Sequence, residues 1–180
     1  GTPLREATVT DSTILGGQTM RAYVADWSAL GSGERPWSTT AAAVDVLDVA
    51  DLDSERAHTY DLYGAHDREE ILKEGTAPGG APVVDGGRSR RVLDRFTVHL
   101  RPGTAVRGIV RLDGTIGAQV RVLAGGRQVA TFDVDDVDWT ERSFEVPANL
   151  AAETTHVELR VYGAPGSYVT TYHYWFVTAD

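Results

Sequence analysis

Residues 94–178 read as a series of β-strands, several with apolar and polar positions alternating, and turn residues recur at roughly the 8–12-residue spacing of a β-sandwich. In RFTVHL (95–100), Phe96, Val98 and Leu100 alternate with Thr97 and His99. In THVELRVYG (155–163), Val157, Leu159 and Val161 take one face and His156, Glu158 and Arg160 the other. AVRGIVRL (105–112), WTERSFEVP (139–147, Phe144 and Val146 inward) and SYVTTYHYWFV (167–177) read the same way. A period of two belongs to extended chain with one face buried, and helical periodicity is absent. Pro102-Gly103, Asp113-Gly114 and Pro165-Gly166 punctuate the strands. Gly125-Gly126 joins VRVLA to RQVATF as a two-residue hairpin of type I′ or II′, in which one or both central positions need positive φ. The pattern predicts an all-β, antiparallel β-sandwich.

The first half is less regular. Strands are expected near Glu6–Thr10 and 21–27, with a turn at Gly16-Gly17 between them. AAAVDVLDVADL (41–52) predicts a strand. DSERAHTYDLYG (53–64) fits either a capped helical turn opened by Asp53 or Ser54, or further sheet. HDREEILKEG (66–75) reads as a short helix or loop, and TAPGGAPVVDGGR (76–88) as a long, mobile Pro/Gly connection. Segment 40–64 has too few strands for a core of its own, so residues 1–180 read as one domain, best supported over 85–178 and weakest over 1–40.

DGGRSRRVLDRFTVHLRPG, the hairpin VRVLAGGRQVATF, DWTERSFEVPANLAAETTHVELRVYG and the closing YVTTYHYWFV together resemble a galactose-binding-like jelly roll. This is the type found in carbohydrate-binding modules that accompany bacterial glycan-active and envelope proteins. The resemblance covers about half the chain. It implies a jelly-roll fold, a carbohydrate partner, a secreted or envelope location, and membership of a larger protein. Where closing strands of calcium-dependent modules carry an Asp before the aromatic, this chain has His173 or Tyr174.

Composition narrows the classes. A net charge of −9 opposes binding to nucleic acid. No apolar run approaches the roughly 20 residues that span a bilayer, so no membrane insertion by this segment is expected. With no cysteine, disulfides, thiolate catalysis and Cys-type zinc sites are excluded. Sixteen Arg against one Lys and one Asn suggest a GC-rich bacterial genome.

Sugar rings stack on exposed aromatic faces while charged side chains bond their hydroxyls. Trp139, Tyr172 and Tyr174 are the expected stacking residues, with Arg95 and Glu141 as hydroxyl partners. Simple alternation puts Tyr172 and Tyr174 on the face of Phe176, and His173 and Trp175 on the other. Within the acidic–histidine cluster of 48–61, Asp51, Asp53 and Glu55 are candidate ligands for structural calcium, a cofactor not required for the reading. Asp85-Gly86-Gly87-Arg88 and Asp94-Arg95 read as turn and salt-bridge elements. No nucleophile-elbow, zincin or phosphate-loop motif occurs. The leading expectation is a non-catalytic carbohydrate-binding module. The alternatives are a glycan-active hydrolase on the same fold, using a carboxylate pair, and a structural or protein-interaction domain of an envelope protein.

Overall fold

The structure, a computed structural model, describes residues 4–8, 21–25, 35–64, 70–78, 80, 82–136 and 138–179. The turn expected at Gly16-Gly17 lies outside them. Strands β1 (Leu4–Thr8) and β2 (Arg21–Ala25) form an antiparallel pair. There follow β3 (Ala43–Asp48), helix α1 (Leu52–Ala57), β4 (Asp61–Tyr63), β5 (Glu70–Thr76), β6 (Pro82–Arg90), β7 (Leu93–Val98) and β8 (Val106–Gly114). The chain continues through β9 (Gln119–Ala124), β10 (Arg127–Asp133), β11 (Thr140–Val146), β12 (Thr155–Tyr162) and β13 (Val169–Thr178).

Two antiparallel sheets face each other. One has the order β10-β9-β12-β7-β4; the other has β11-β8-β13-β6-β5, with β3 also on β13. Between them pack Val120, Val122, Val157, Leu159, Phe96 and Val98 from the first, and Val110, Leu112, Phe144, Val146, Tyr174 and Phe176 from the second. These are the residues that the period-two pattern turns inward. The hairpin at Gly125-Gly126 has φ of 54° and 77°, the left-handed pair that a type I′ turn needs.

β13 organises the second sheet. It pairs with β8 along its whole length. Its other edge is shared: residues 169–171 pair with β6, and 173–177 with β3. The register on β8 slips between Thr171 and His173. This bulge breaks the alternation, because an extra residue resets which side chain points where. Tyr174 and Phe176 face the core, whereas Tyr172 joins His173 and Trp175 on the outer face, its hydroxyl 2.8 Å from Asp113 of β8. The simple alternation expected for Tyr172 is thereby corrected.

The 66–90 region also departs from expectation. Residues 70–76 and 82–90 are neither helix nor mobile connection but a paired hairpin, β5–β6. Only its last residues join β13; the rest folds across the outer face of β8 and β13 as an arm. Asp85 reaches Arg111 on β8, and Lys73 reaches Asp113. Two of the glycines in this stretch, Gly75 and Gly87, are there for close approach. A Cβ on Gly87 would lie 2.7 Å from the ring of Tyr172, and one on Gly75 would lie 3.2 Å from that of Trp139.

Candidate functional site

The arm buries a layer of charge against the sheet. Arg111 is fully buried and donates to Asp85 Oδ2 at 2.9 Å and to Glu141 Oε1 at 3.2 Å. His173, fully buried and stacked on Trp175 with ring centroids 4.9 Å apart, lies between two carboxylates. Its Nδ1 is 3.0 Å from Asp85 Oδ2, and its Nε2 is 3.3 Å from Asp48 Oδ1. Burial alone would lower the imidazole pKa, but the contacts with Asp48 and Asp85 outweigh it and hold it at about 9. His173 is therefore an imidazolium at neutral pH. Lys73 Nζ and Tyr172 Oη both donate to Asp113 Oδ2, at 2.6 and 2.8 Å. Each buried charge of this layer has an opposite charge in contact, as desolvation requires.

Above this layer opens a groove of about 530 Å³, lined by Trp37, Trp139, Thr140, Glu141 and the arm tip Thr76–Pro78. The two indoles are 6.1 Å apart, centre to centre, and inclined at 48°. Arg111 supports both: its guanidinium carbon is 3.9 Å from the Trp37 ring centre, 4.8 Å from Trp175 and 5.9 Å from Trp139. Trp139 is further held by Gly75 beneath it, Tyr172 edge-on at 5.4 Å and the Lys73 ammonium at 5.8 Å. Trp37 and Trp139 are both half-buried, so each offers part of its surface to the groove.

Of the residues expected from the sequence, the structure brings three to this place. Trp139 and Glu141 line the groove, and Tyr172 lies buried directly beneath Trp139. Tyr174 is inside the sandwich, 4.5 Å from Phe96 centre to centre, donating 2.8 Å to Asp94. Asp94 forms a fully buried ion pair with Arg90 at 3.2 Å and also accepts from Thr171 and Tyr60. Arg95 lies on the far sheet, stacked 4.7 Å from Tyr63 and 3.4 Å from Asp61. It lines a larger cavity of about 590 Å³ with Thr97, His156 and Glu158. Phe96, the one Phe, Tyr or Trp among the described residues lining it, is buried, and the exposed ring there is the small imidazole of His156, so no large aromatic face is offered. The groove with the two indoles is the better ligand site on that ground.

The expected calcium ligands are committed elsewhere. Asp51 caps α1, its Oδ1 accepting from the amides of Asp53 and Ser54 at 2.9 Å. Asp53 pairs with Arg56 at 2.6 Å. Glu55 holds the Arg88 guanidinium with both oxygens and accepts from the amide of Ala50. Among the described residues, Asp48, Asp85 and His173 also come within 4.8 Å of one another. In that group Asp85 Oδ2 already takes both the Arg111 guanidinium and His173 Nδ1, so a cation there would have to displace one of them.

Trp37, Arg111 and Lys73 are not among the site residues expected from the sequence, and Asp85 is expected there only as part of a turn and salt-bridge element. Trp37 follows loop-like composition, Asp85 sits in a Gly-rich run, and Arg111 and Lys73 occupy ordinary polar positions. The one available signal was Arg111 at a polar position inside an otherwise apolar strand, GIVRL.

No protein-family model matches the chain, and no curated protein sequence resembles it closely enough to be significant. Solved structures do. One is a Clostridium thermocellum xylanase 10B comprising CBM22-1 and GH10 modules, complexed with xylohexaose. It superposes with a TM-score of 0.53 at 13% identity over 79% of this chain and 29% of that one. That superposition decides the fold. The chain shares the jelly-roll sandwich of carbohydrate-binding modules. A Bacillus subtilis family 43 arabinoxylan arabinofuranohydrolase in complex with cellotetraose matches at 0.43 and 20% identity, over 63% of this chain and 25% of that one. A CBM36 module in complex with calcium and xylotriose matches at 0.41 and 12%, over 60% and 98%. The chain thus spans only about a quarter of the two enzymes it matches.

Proposed function

We propose that this is a non-catalytic carbohydrate-binding module that takes an oligosaccharide in the Trp37–Trp139 groove. The observation that carries the reading is the pair of indoles 6.1 Å apart, propped by one guanidinium at the mouth of an open groove. Two aromatic rings at that spacing suit successive sugar rings, whose C–H faces pack on indole while their hydroxyls stay wet. Ser38, Thr76 and Thr140 supply neutral hydroxyls around them. The matched structure of CBM22-1 and GH10 modules complexed with xylohexaose lends the reading support. Glu141 is the one carboxylate among the described residues lining the groove, and both its oxygens are engaged. Glycoside hydrolysis needs two carboxyl groups on either side of the bond, so binding without chemistry fits better than the hydrolase alternative. The ligand class implies a module of a larger protein working outside the cytoplasm, secreted or at the envelope.

The test is calorimetric titration of wild type and of Trp37→Ala, Trp139→Ala, Tyr172→Ala and Tyr174→Ala with xylohexaose and cellotetraose, alongside melting curves. Loss of either tryptophan is expected to weaken binding about tenfold or more. Tyr174→Ala should lower stability and leave affinity within a factor of about two. Absence of wild-type binding to both sugars at millimolar concentration would remove the carbohydrate reading in favour of an interaction domain.

A further inference from the structure

Trp37 stands on a segment with no strand of its own, and Glu141, 104 residues away, is what ties it down. Glu141 Oε1 accepts the amide of Trp37 at 2.9 Å and Arg111 Nη2 at 3.2 Å; Oε2 accepts the amide of Ser38 at 3.0 Å. The carboxylate side chain is only 6% exposed. It therefore fixes the backbone of Trp37 and, with the same oxygen, holds the guanidinium on which the Trp37 ring rests. Three charge-assisted bonds converge on one group, and each depends on a full carboxylate, since every partner is a donor.

We infer that Glu141 is a positioning residue: it seats Trp37 for the ligand and makes no bond to the ligand itself. The inference rests on the carbohydrate reading of the groove and assigns Glu141 a role other than the hydroxyl partner expected from sequence. Its physical content is pre-organisation. An aromatic platform on an untethered segment must be ordered at the moment of binding, and that ordering is subtracted from affinity. A carboxylate that orders it in advance removes the cost. Glu141→Gln keeps the volume but offers one oxygen and an NH₂. Whichever way the amide turns, a donor faces either Ser38 N–H or the Trp37 and Arg111 donors.

The experiment is a double-mutant cycle read with xylohexaose. Glu141→Gln is expected to weaken binding about tenfold in the wild-type background and by less than about twofold in the Trp37→Ala background, because its effect passes through Trp37. Equal losses in both backgrounds would mean that Glu141 contacts the sugar directly, and would overturn the inference; so would an unchanged affinity in the wild-type background. A second readout needs no ligand. In protein labelled with 5-fluorotryptophan, the Trp37 fluorine resonance, assigned by its loss in Trp37→Phe, should move or broaden in Glu141→Gln. Melting curves confirm that the variants are folded at the temperature of measurement. If wild type binds neither xylohexaose nor cellotetraose, the carbohydrate reading fails on its own. The fluorine spectrum still decides this inference: a displaced Trp37 resonance supports it, and an unmoved one overturns it.

Discussion

The α-carbon of Gly87 packs against the ring of Tyr172 so closely that a single added carbon would lie 2.7 Å from it, and 2.7 Å from the Thr171 carbonyl oxygen. The carbonyl belongs to the β13 backbone and cannot yield without disturbing the ladder that anchors the arm. Gly87→Ala is therefore expected to cost about 1–3 kcal/mol, the range for overpacking a filled interior. At this chain length each kcal/mol lowers the melting temperature by roughly 2–4 °C. A melting temperature equal to wild type would mean that the arm lies off the sheet.

Stability should fall on the alkaline side through His173. Its pKa is raised from 6.5 to about 9 in the folded protein. A raised imidazole stabilises fully below the unfolded value, and the gain is lost as pH climbs through the folded value. The window is thus pH 6.5–9, and the loss is of order 3 kcal/mol at about 1.4 kcal/mol per unit. Urea melts across this range should show the decline in wild type and a flatter profile in His173→Gln.

The buried pair Arg90–Asp94 gives a third expectation. Both side chains are fully buried, and Tyr174, Thr171 and Tyr60 all point hydroxyls at Asp94. Burial pushes the Asp94 carboxyl up, against the pull of Arg90 and the hydroxyls. Removing the carboxylate leaves a guanidinium without its counter-charge in the core. Asp94→Ala should cost about 3–5 kcal/mol, whereas Tyr60→Phe should cost no more than about 1–2. Denaturant titration compares the two directly.

Asp51 separates a helix cap from a metal ligand. As the N-cap of α1 it should contribute about 1 kcal/mol, so Asp51→Ala should lower the melting point by the same few degrees in calcium and in EDTA. A deficit that appears only in calcium would support the ion-binding role expected from the sequence.

What the sequence made legible follows a physical divide. Alternation reports burial, so Phe96, Val98, Val157, Leu159, Phe144 and Val146 fall on the face expected of them, and the two-residue hairpin at Gly125-Gly126 is legible from its two glycines, with the turn type left to the structure. Alternation fails where a bulge resets it, which is why Tyr172 was assigned to the wrong face. Composition fails where glycine serves contact rather than freedom: Gly75 and Gly87 made a paired hairpin look like a linker. The groove was half visible. Trp139 and Glu141 flank a strand start and could be chosen, but Trp37 meets them only through a contact spanning 104 residues, which no local pattern encodes.

The central strand of the second sheet has a consequence for how the chain is made. β13 is the partner of β8, β6 and β3, and it is the last of the described strands to leave the ribosome. The first sheet lies wholly upstream and can assemble once β12 is synthesised. Until Val169–Thr178 emerge, three strands keep open edges and the apolar side of the sandwich lacks Tyr174 and Phe176. Such intermediates are prone to pair with the wrong neighbour. A nascent chain arrested before Val169 should therefore be sensitive to protease and bound by chaperones. Emergence of β13 should close the second sheet onto the first in one cooperative step.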